Sequence, residues 1–264
     1  VTVNKDIMAL RAALERGVEL GYFPSNPLDG VHKVKENPKV ITRYLTPDEE
    51  AALMTALDER EKEIRDKRKS HNKWLAIRKL PLKPDLSKAP FADYLKVAVI
   101  VALHTGLRRN ELLSLTWADV SFEENTVHVR GHAAKSGKPR AIPMSATCRE
   151  TLKGWKEMNE GETLVFPGPG DSVMHDMRTS FERVIAAAEI TGFRYHDLRH
   201  SFASRLVQSG VDLNTVRELM GHADLKMVLR YAHLDDERKQ RAVEVLDKPR
   251  GNIVPFRGQK RARR

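Results

Sequence analysis

Apolar residues recur at helical spacing along most of the chain and switch to alternation over one short interval, which predicts a mainly α-helical protein with a small β-sheet or hairpin. Ile7, Leu10, Leu14 and Val18 mark one face of a first helix, which stops before Tyr22-Phe23-Pro24 and the turn-rich SNPLDG. A lone amphipathic helix cannot bury its own face. It either packs on the rest of the chain or is the remnant of an N-terminal domain. Residues 30–43 (GVHKVKENPKVITR) read as an extended basic linker, and Thr46-Pro47-Asp48-Glu49 then opens a second helix with a capping box and a proline at its first position. The main boundary is placed near residue 40. From 59 to 92 charge dominates the pattern (EREKEIRDKRKSHNKW, then KLPLKPDLSKAP), and a solvated helix extension followed by a proline-broken loop is favoured over a DNA-contacting insertion.

An apolar helix over 94–104 (YLKVAVIVALH) ends at Thr105-Gly106, and Arg108 begins another that carries Glu111, Leu112 and Leu115 at helical spacing. Then the period changes. Residues 126–130 and 140–143 read as two strands joined by GHAAKSGKP, with Lys135 near the tip of the hairpin. A helix over about 146–158, a short strand at 164–166, a glycine and proline turn and a helix over about 172–188 follow. Leu198, Phe202 and Leu206 then define a buried helix face ending at Ser209-Gly210, with His196 and Arg199 expected to project away from it. Asp212 is the expected N-cap of the next helix, with Val211 and Val216 as a hydrophobic staple, and Gly221 ends that helix so that His222 sits at a sharp turn.

Composition changes this picture in two ways. The net charge is +10 over 264 residues, but residues 248–264 hold seven basic and no acidic side chains, leaving about +3 for the remainder. The single cysteine, Cys148, excludes an intrachain disulfide framework and any Cys-rich zinc site, which fits a reducing cytoplasm, and it reads as a small core residue. No apolar run approaches a membrane span and no signal peptide is visible, so a soluble, intracellular protein without membrane association is expected. Because the chain starts at Val1, it is expected to be a fragment of a longer protein.

The candidate chemistry lies between His196 and Tyr231. A tyrosine hydroxyl attacks phosphorus only where cationic and hydrogen-bonding groups hold the phosphate and neutralise the charge that builds on its oxygens. This interval holds His196, Arg199, the Gly221-His222 pair and, nine residues beyond His222, Tyr231. Taken singly each has a bland reading: a half-buried tyrosine, a surface His/Arg pair, a helix cap. The sequence holds no GK[ST] phosphate loop, so ATP is not implied.

Four segments in order, TGLRRNELLSL (105–115), AKSGKPRAIPM (134–144), YHDLRHSFAS (195–204) and LMGHADLKMVLRYAH (219–233), resemble the catalytic boxes of the tyrosine site-specific recombinases, the phage integrase family. The resemblance covers about residues 40–246. It implies a catalytic domain over 41–246, preceded by the end of a core-binding domain and linker (1–40) and followed by a basic tail (247–264). It also implies roles. Tyr231 would be the nucleophile that takes the 3' phosphate, Arg108 and Arg199 the phosphate clamp, Lys135 the acid that protonates the leaving 5' oxygen, and His196 and His222 the remaining site positions. Arg109 competes with Arg108, but the TGLR spacing selects Arg108. Glu111 and His200 would form the supporting shell.

No metal or other cofactor is implied. The expected partners are double-stranded DNA at specific sites, further copies of the chain in a homotetramer, and accessory DNA-bending proteins in the cytoplasm, at the nucleoid. Integration and excision of a phage or other mobile element is the favoured activity. The alternatives are a recombinase that resolves chromosome or plasmid multimers and, from a different class, a DNA-binding regulator that has lost catalysis.

Overall fold

The computed structural model describes residues 2–34, 42–131, 139–168, 170, 172–174, 176–232 and 243. It divides into two compact units, Val1–Ile41 and Thr42–Arg264. The first is organised by α1 (Thr2–Glu19). Asn26 donates to the carbonyl of Arg11 (3.1 Å) and to Glu15 (2.8 Å), folding the turn that follows back onto its own helix. Asn4 binds both main-chain groups of Val34, at 2.8 and 2.9 Å, so the unit closes through side-chain amides.

The second unit begins with α2 (Pro47–Ile77), whose start is the full capping box: Thr46 accepts from Glu49 N and the Glu49 carboxylate accepts from Thr46 N. Its proximal half buries Leu53, Ala56 and Leu57. At the centre lies α3 (Tyr94–Thr105), buried from Leu95 to Leu103 except at Lys96 and therefore apolar nearly all round, with α5 (Ala146–Met158) and α7 (Asp197–Gln208) packed on it. Gly106 ends α3 in the left-handed region (φ +62°), and a Cβ there would meet the Phe202 ring at 2.4 Å. The turn into α4 (Arg109–Leu113) thus requires glycine twice over.

The sheet is antiparallel in the order β1 (Val120–Ser121), β2 (Thr126–Val129), β3 (Arg140–Pro143). Register pairs Val127 with Ile142 and Val129 with Arg140, so Val127, Val129 and Ile142 face the core. Strand β1 has no counterpart in the hydrophobic pattern, because two residues carry no legible alternation. The segment at 164–166 forms only a bridge, Thr116 with Leu164, supported by Val165 N to Leu115 O at 2.9 Å. The helix expected from 172 starts six residues later as α6 (Arg178–Ala187), because Pro167 bridges to Val173 and Asp176 accepts from Arg178 N at 2.9 Å. Two short helices follow α7, α8 (Leu213–Met220), capped by Asp212 and ended by Gly221 at φ +61°, and α9 (Lys226–Leu229). Cys148 is fully buried, and burial pushes its thiol up to about 12, which keeps it an inert core group. No described helix is long and apolar enough to cross a membrane.

Candidate active site

Three turns meet at the site: the α3–α4 corner, the start of α7 and the α8–α9 turn. Arg108 caps α4, its Nη1 2.8 Å from Glu111 Oε1 and its main-chain N 2.9 Å from Glu111 Oε2. Arg140, from the start of β3, grips the same carboxylate through both Nη atoms, at 3.2 and 2.8 Å, and donates from Nε to the carbonyl of Leu219 at 3.0 Å. Glu111 is buried. Burial alone would raise its pKa, but the bonds from Arg140 and Arg108 outweigh it and hold the carboxyl at about 2.

Arg199, expected to project away from the Leu198/Phe202/Leu206 face, is itself buried, which the helical pattern does not indicate. Its helix is wedged between two turns, and the guanidinium satisfies both, donating to Gly106 O at 2.5 Å and to Met220 O. No carboxylate pairs with it among the described residues. Burial and the charge of Arg108 push its pKa down to about 9, so it remains a cation at neutral pH. Arg108 Nη2 lies 3.5 Å from Gly221 O, which places both guanidiniums at the turn that carries His222.

The histidines are neutral groups. Burial, Arg199 and Arg108 push His222 down to about 3, and its Nδ1 is enclosed without a partner among the described residues. Burial pushes His200 down to about 4, with His196 next in effect, and the two rings meet edge to face at 5.1 Å. His196 stands at the surface at the start of α7, where crowding and then Arg199 lower its pKa. Each of these rings binds a proton more readily in the unfolded chain, so stability falls as the pH drops below about 6.5. We predict a thermal midpoint that decreases from pH 7 to pH 5, as His200 and His222 each remove up to roughly 1.4 kcal/mol of unfolding free energy per pH unit. Scanning calorimetry across that range checks it, and a flat profile would contradict the neutral assignment of His200 and His222.

Tyr231 is fully enclosed by Phe202, Ala203, Val207, Val216, Met220 and Val228. Its hydroxyl lies 2.5 Å from His200 Nδ1, and burial pushes its pKa up to about 12. Arg108, His196, Arg199, His222, Glu111, His200 and Tyr231 therefore share one region. Lys135 lies outside the described residues. Arg140 is a site residue that the sequence pattern does not single out: it stands inside the segment 134–144, but its contact with Glu111 spans 29 residues and no local spacing signals it. Gly221 is locked by the same residue, since a Cβ would meet Arg140 Nη1 at 2.8 Å on a backbone already at φ +61°. Gly221→Ala is expected to destabilise the protein by about 1–3 kcal/mol, measured by denaturant unfolding.

The description "Phage integrase family" matches residues 82–238. The chain belongs to the phage integrase family. Among relatives of this family member, the integrase of Salmonella phage P22 is 31% identical over 174 residues, covering 61% of this chain and 44% of the relative. The tyrosine recombinase XerC of Xanthomonas campestris pv. campestris is 35% identical over 136 residues, covering 50% and 41%. The chain thus spans less than half the length of these curated relatives. In fold, the Tn1549 transposon integrase bound to a circular intermediate DNA superposes with a TM-score of 0.66 at 20% identity, over 93% of this chain and 79% of that one. A lambda integrase dimer bound to a core site gives 0.61 at 20% identity, over 85% and 72%. The integrase family fold is mainly helical with a small antiparallel sheet, as the periodicity indicates.

Proposed function

We propose that this integrase-family chain cuts and rejoins DNA at specific sites through a covalent 3'-phosphotyrosine, with Tyr231 as nucleophile. One observation carries the reading. Around the α8–α9 turn stand three guanidiniums, Arg108, Arg140 and Arg199, and one carboxylate, Glu111, which pairs with Arg108 and Arg140; about two positive charges are left in excess beside His222, whose Nδ1 has no partner among the described residues. A phosphodiester carries one negative charge and gains a second as it is attacked, which matches that excess.

In the reaction Tyr231 Oη bonds to phosphorus as the bond to the 5' oxygen breaks. Arg108 and Arg199 hold the nonbridging oxygens, and His222 donates to one of them. His196 assists proton transfer, Lys135 protonates the departing 5' oxygen, and a 5' hydroxyl attacking the phosphotyrosine reverses the sequence. Glu111 orients Arg108. His200, neutral at working pH, holds the Tyr231 hydroxyl and can take its proton.

The partner is duplex DNA bearing the recombination sites, on which four copies assemble with accessory bending proteins, in the cytoplasm at the nucleoid. Residues 1–40 act as the end of a core-binding domain, a reading supported by the separate compact unit that closes before Thr42. A mobile element as substrate is supported by the phage relative and the transposon neighbour. Multimer resolution is the second reading, supported by the XerC relative.

The test is a nicked duplex carrying the end of the parent element, incubated with the full-length parent protein in EDTA and run on a denaturing gel. A protease-sensitive adduct on the 3' phosphate supports the proposal. Clear binding with no adduct would point instead to a noncatalytic DNA-binding protein.

A further inference from the structure

We propose that the distal half of α2, with the segment that returns along it, is an additional contact for duplex DNA, gripping phosphates outside the site where Tyr231 reacts. This rests on the DNA reading above and assigns a role to residues 65–88, which that reading does not use.

Charge is the first support. Residues 65–88 carry nine basic and two acidic side chains, a net +7, and residues 248–264 carry another +7. These two segments exceed the chain total of +10, so everything else sums to −4. The positive charge of this protein is concentrated, and the α2 extension holds half of that concentration. A polyanion is the complementary partner.

The extension is also built as a braced arm. Successive turns on one face of α2 hold the returning chain by its main-chain groups. Glu61 accepts from Ala92 N at 2.9 Å, Arg65 donates to Leu86 O and Ala89 O, Arg68 donates to Pro84 O, and Asn72 bonds both N and O of Lys83. At 1.5 Å per residue, the stretch from Arg65 to Ile77 is about 18 Å long. Bracing of this kind fixes the direction of the outward-facing side chains. A simply solvated helix needs none of it.

What the arm presents is the third support. His71 stacks on Trp74 with centroids 5.7 Å apart and planes at 12°, and the Arg78 guanidinium lies 3.9 Å from the Trp74 ring centre. Arg78, Lys73 and Lys83 have no carboxylate within ion-pair distance among the described residues, and all three are exposed. Trp74 is 45% and Ile77 80% exposed beside them. A guanidinium held over an aromatic face offers its N–H fork to a phosphate at little entropic cost, and apolar groups at its edge suit the sugar surface.

The test compares wild-type protein with K69A/K73A/R78A/K83A on fluorescein-labelled random-sequence duplexes of about 20 and 60 base pairs, over a range of salt. All four side chains are exposed, and a matching melting curve confirms that the variant folds. The slope of log K against log salt on the longer duplex should fall by about 0.9 for each phosphate that the variant no longer neutralises, hence by roughly 3 to 4, with affinity at least about tenfold weaker near 0.15 M. A photo-crosslinking residue at Ile77 should attach to the labelled DNA, while one at exposed Glu157 on α5 should not. Unchanged slope and affinity in the variant, with no DNA adduct from position 77, overturn the arm proposal while the recombinase reading stands. Crosslinking from position 77 to a second polypeptide in place of DNA overturns it as well. A wild type that binds neither duplex overturns the recombinase reading, and this proposal with it.

Discussion

Tyr231→Phe is expected to abolish the proposed covalent DNA adduct, by at least about 10⁴-fold in rate, while DNA binding stays within about twofold of wild type. The asymmetry follows from where the side chain sits. Its ring is fully enclosed within the cluster of Phe202, Val207, Val216, Met220 and Val228, and phenylalanine fills the same space. Only the hydroxyl disappears, together with its bond to His200 Nδ1. That leaves one histidine nitrogen unsatisfied, a cost of about 1 kcal/mol, too small to unfold the domain. The guanidiniums of Arg108 and Arg199 are anchored to the carbonyls of Gly106 and Met220 and to Glu111, none of which depends on the hydroxyl, so the phosphate clamp persists. The check is a gel-shift series run beside the denaturing gel. Strand cleavage retained by Tyr231→Phe would remove Tyr231 from the role of nucleophile.

Glu111→Gln should lower stability by about 3 kcal/mol, read as a fall of roughly 6–12 °C in the thermal midpoint. The amide keeps the shape of the side chain but removes the one carboxylate charge that, among the described residues, pairs with Arg140 and Arg108, and Glu111 and Arg140 are both nearly sealed from solvent. The pH linkage gives the same magnitude. A carboxyl held at about 2 when folded, against its ordinary 4.5, contributes stability that is fully present above about pH 4.5 and is lost as the pH falls toward 2. The wild-type acid limb should therefore lose this contribution in that window, and the variant should lack it. Adduct formation should also slow by about 10- to 100-fold, because the amide keeps one acceptor oxygen where the carboxylate has two, so Arg108 loses one of the two bonds that orient it together with the opposing charge. Urea unfolding and the adduct assay read the two effects separately. A variant as stable as wild type would mean that Arg140 and Arg108 find other partners.

Local chemistry is legible in the sequence wherever a few consecutive residues decide the outcome. The Thr46 capping box, the Asp212 cap and the glycine stops at 106 and 221 are readable because caps and left-handed turns are set within one helical turn. The apolar run over 94–104 announces the central helix, in which nine of twelve residues are buried. The two main strands are readable from alternation, while β1 is not, because two residues have no period. The pattern places the start of α6 too early, since the contacts that hold 167–176 out of a helix are a bridge and a side-chain cap rather than a composition.

The site divides along the same line. Residue types and their order along the chain, from Arg108 to Tyr231, are properties of the sequence and are enough to mark the family. Only the tertiary structure decided that Arg199 is buried between the Gly106 and Met220 carbonyls, that Arg140 joins Arg108 on one carboxylate, and that the Tyr231 hydroxyl rests on His200. Those contacts span from 21 to 93 residues, a separation at which no periodicity carries information. The sequence by itself determined which residue types stand in the four family segments. Packing around α3 decided their desolvation and partners, and with them their charge, because both depend on what the fold places within a few ångströms.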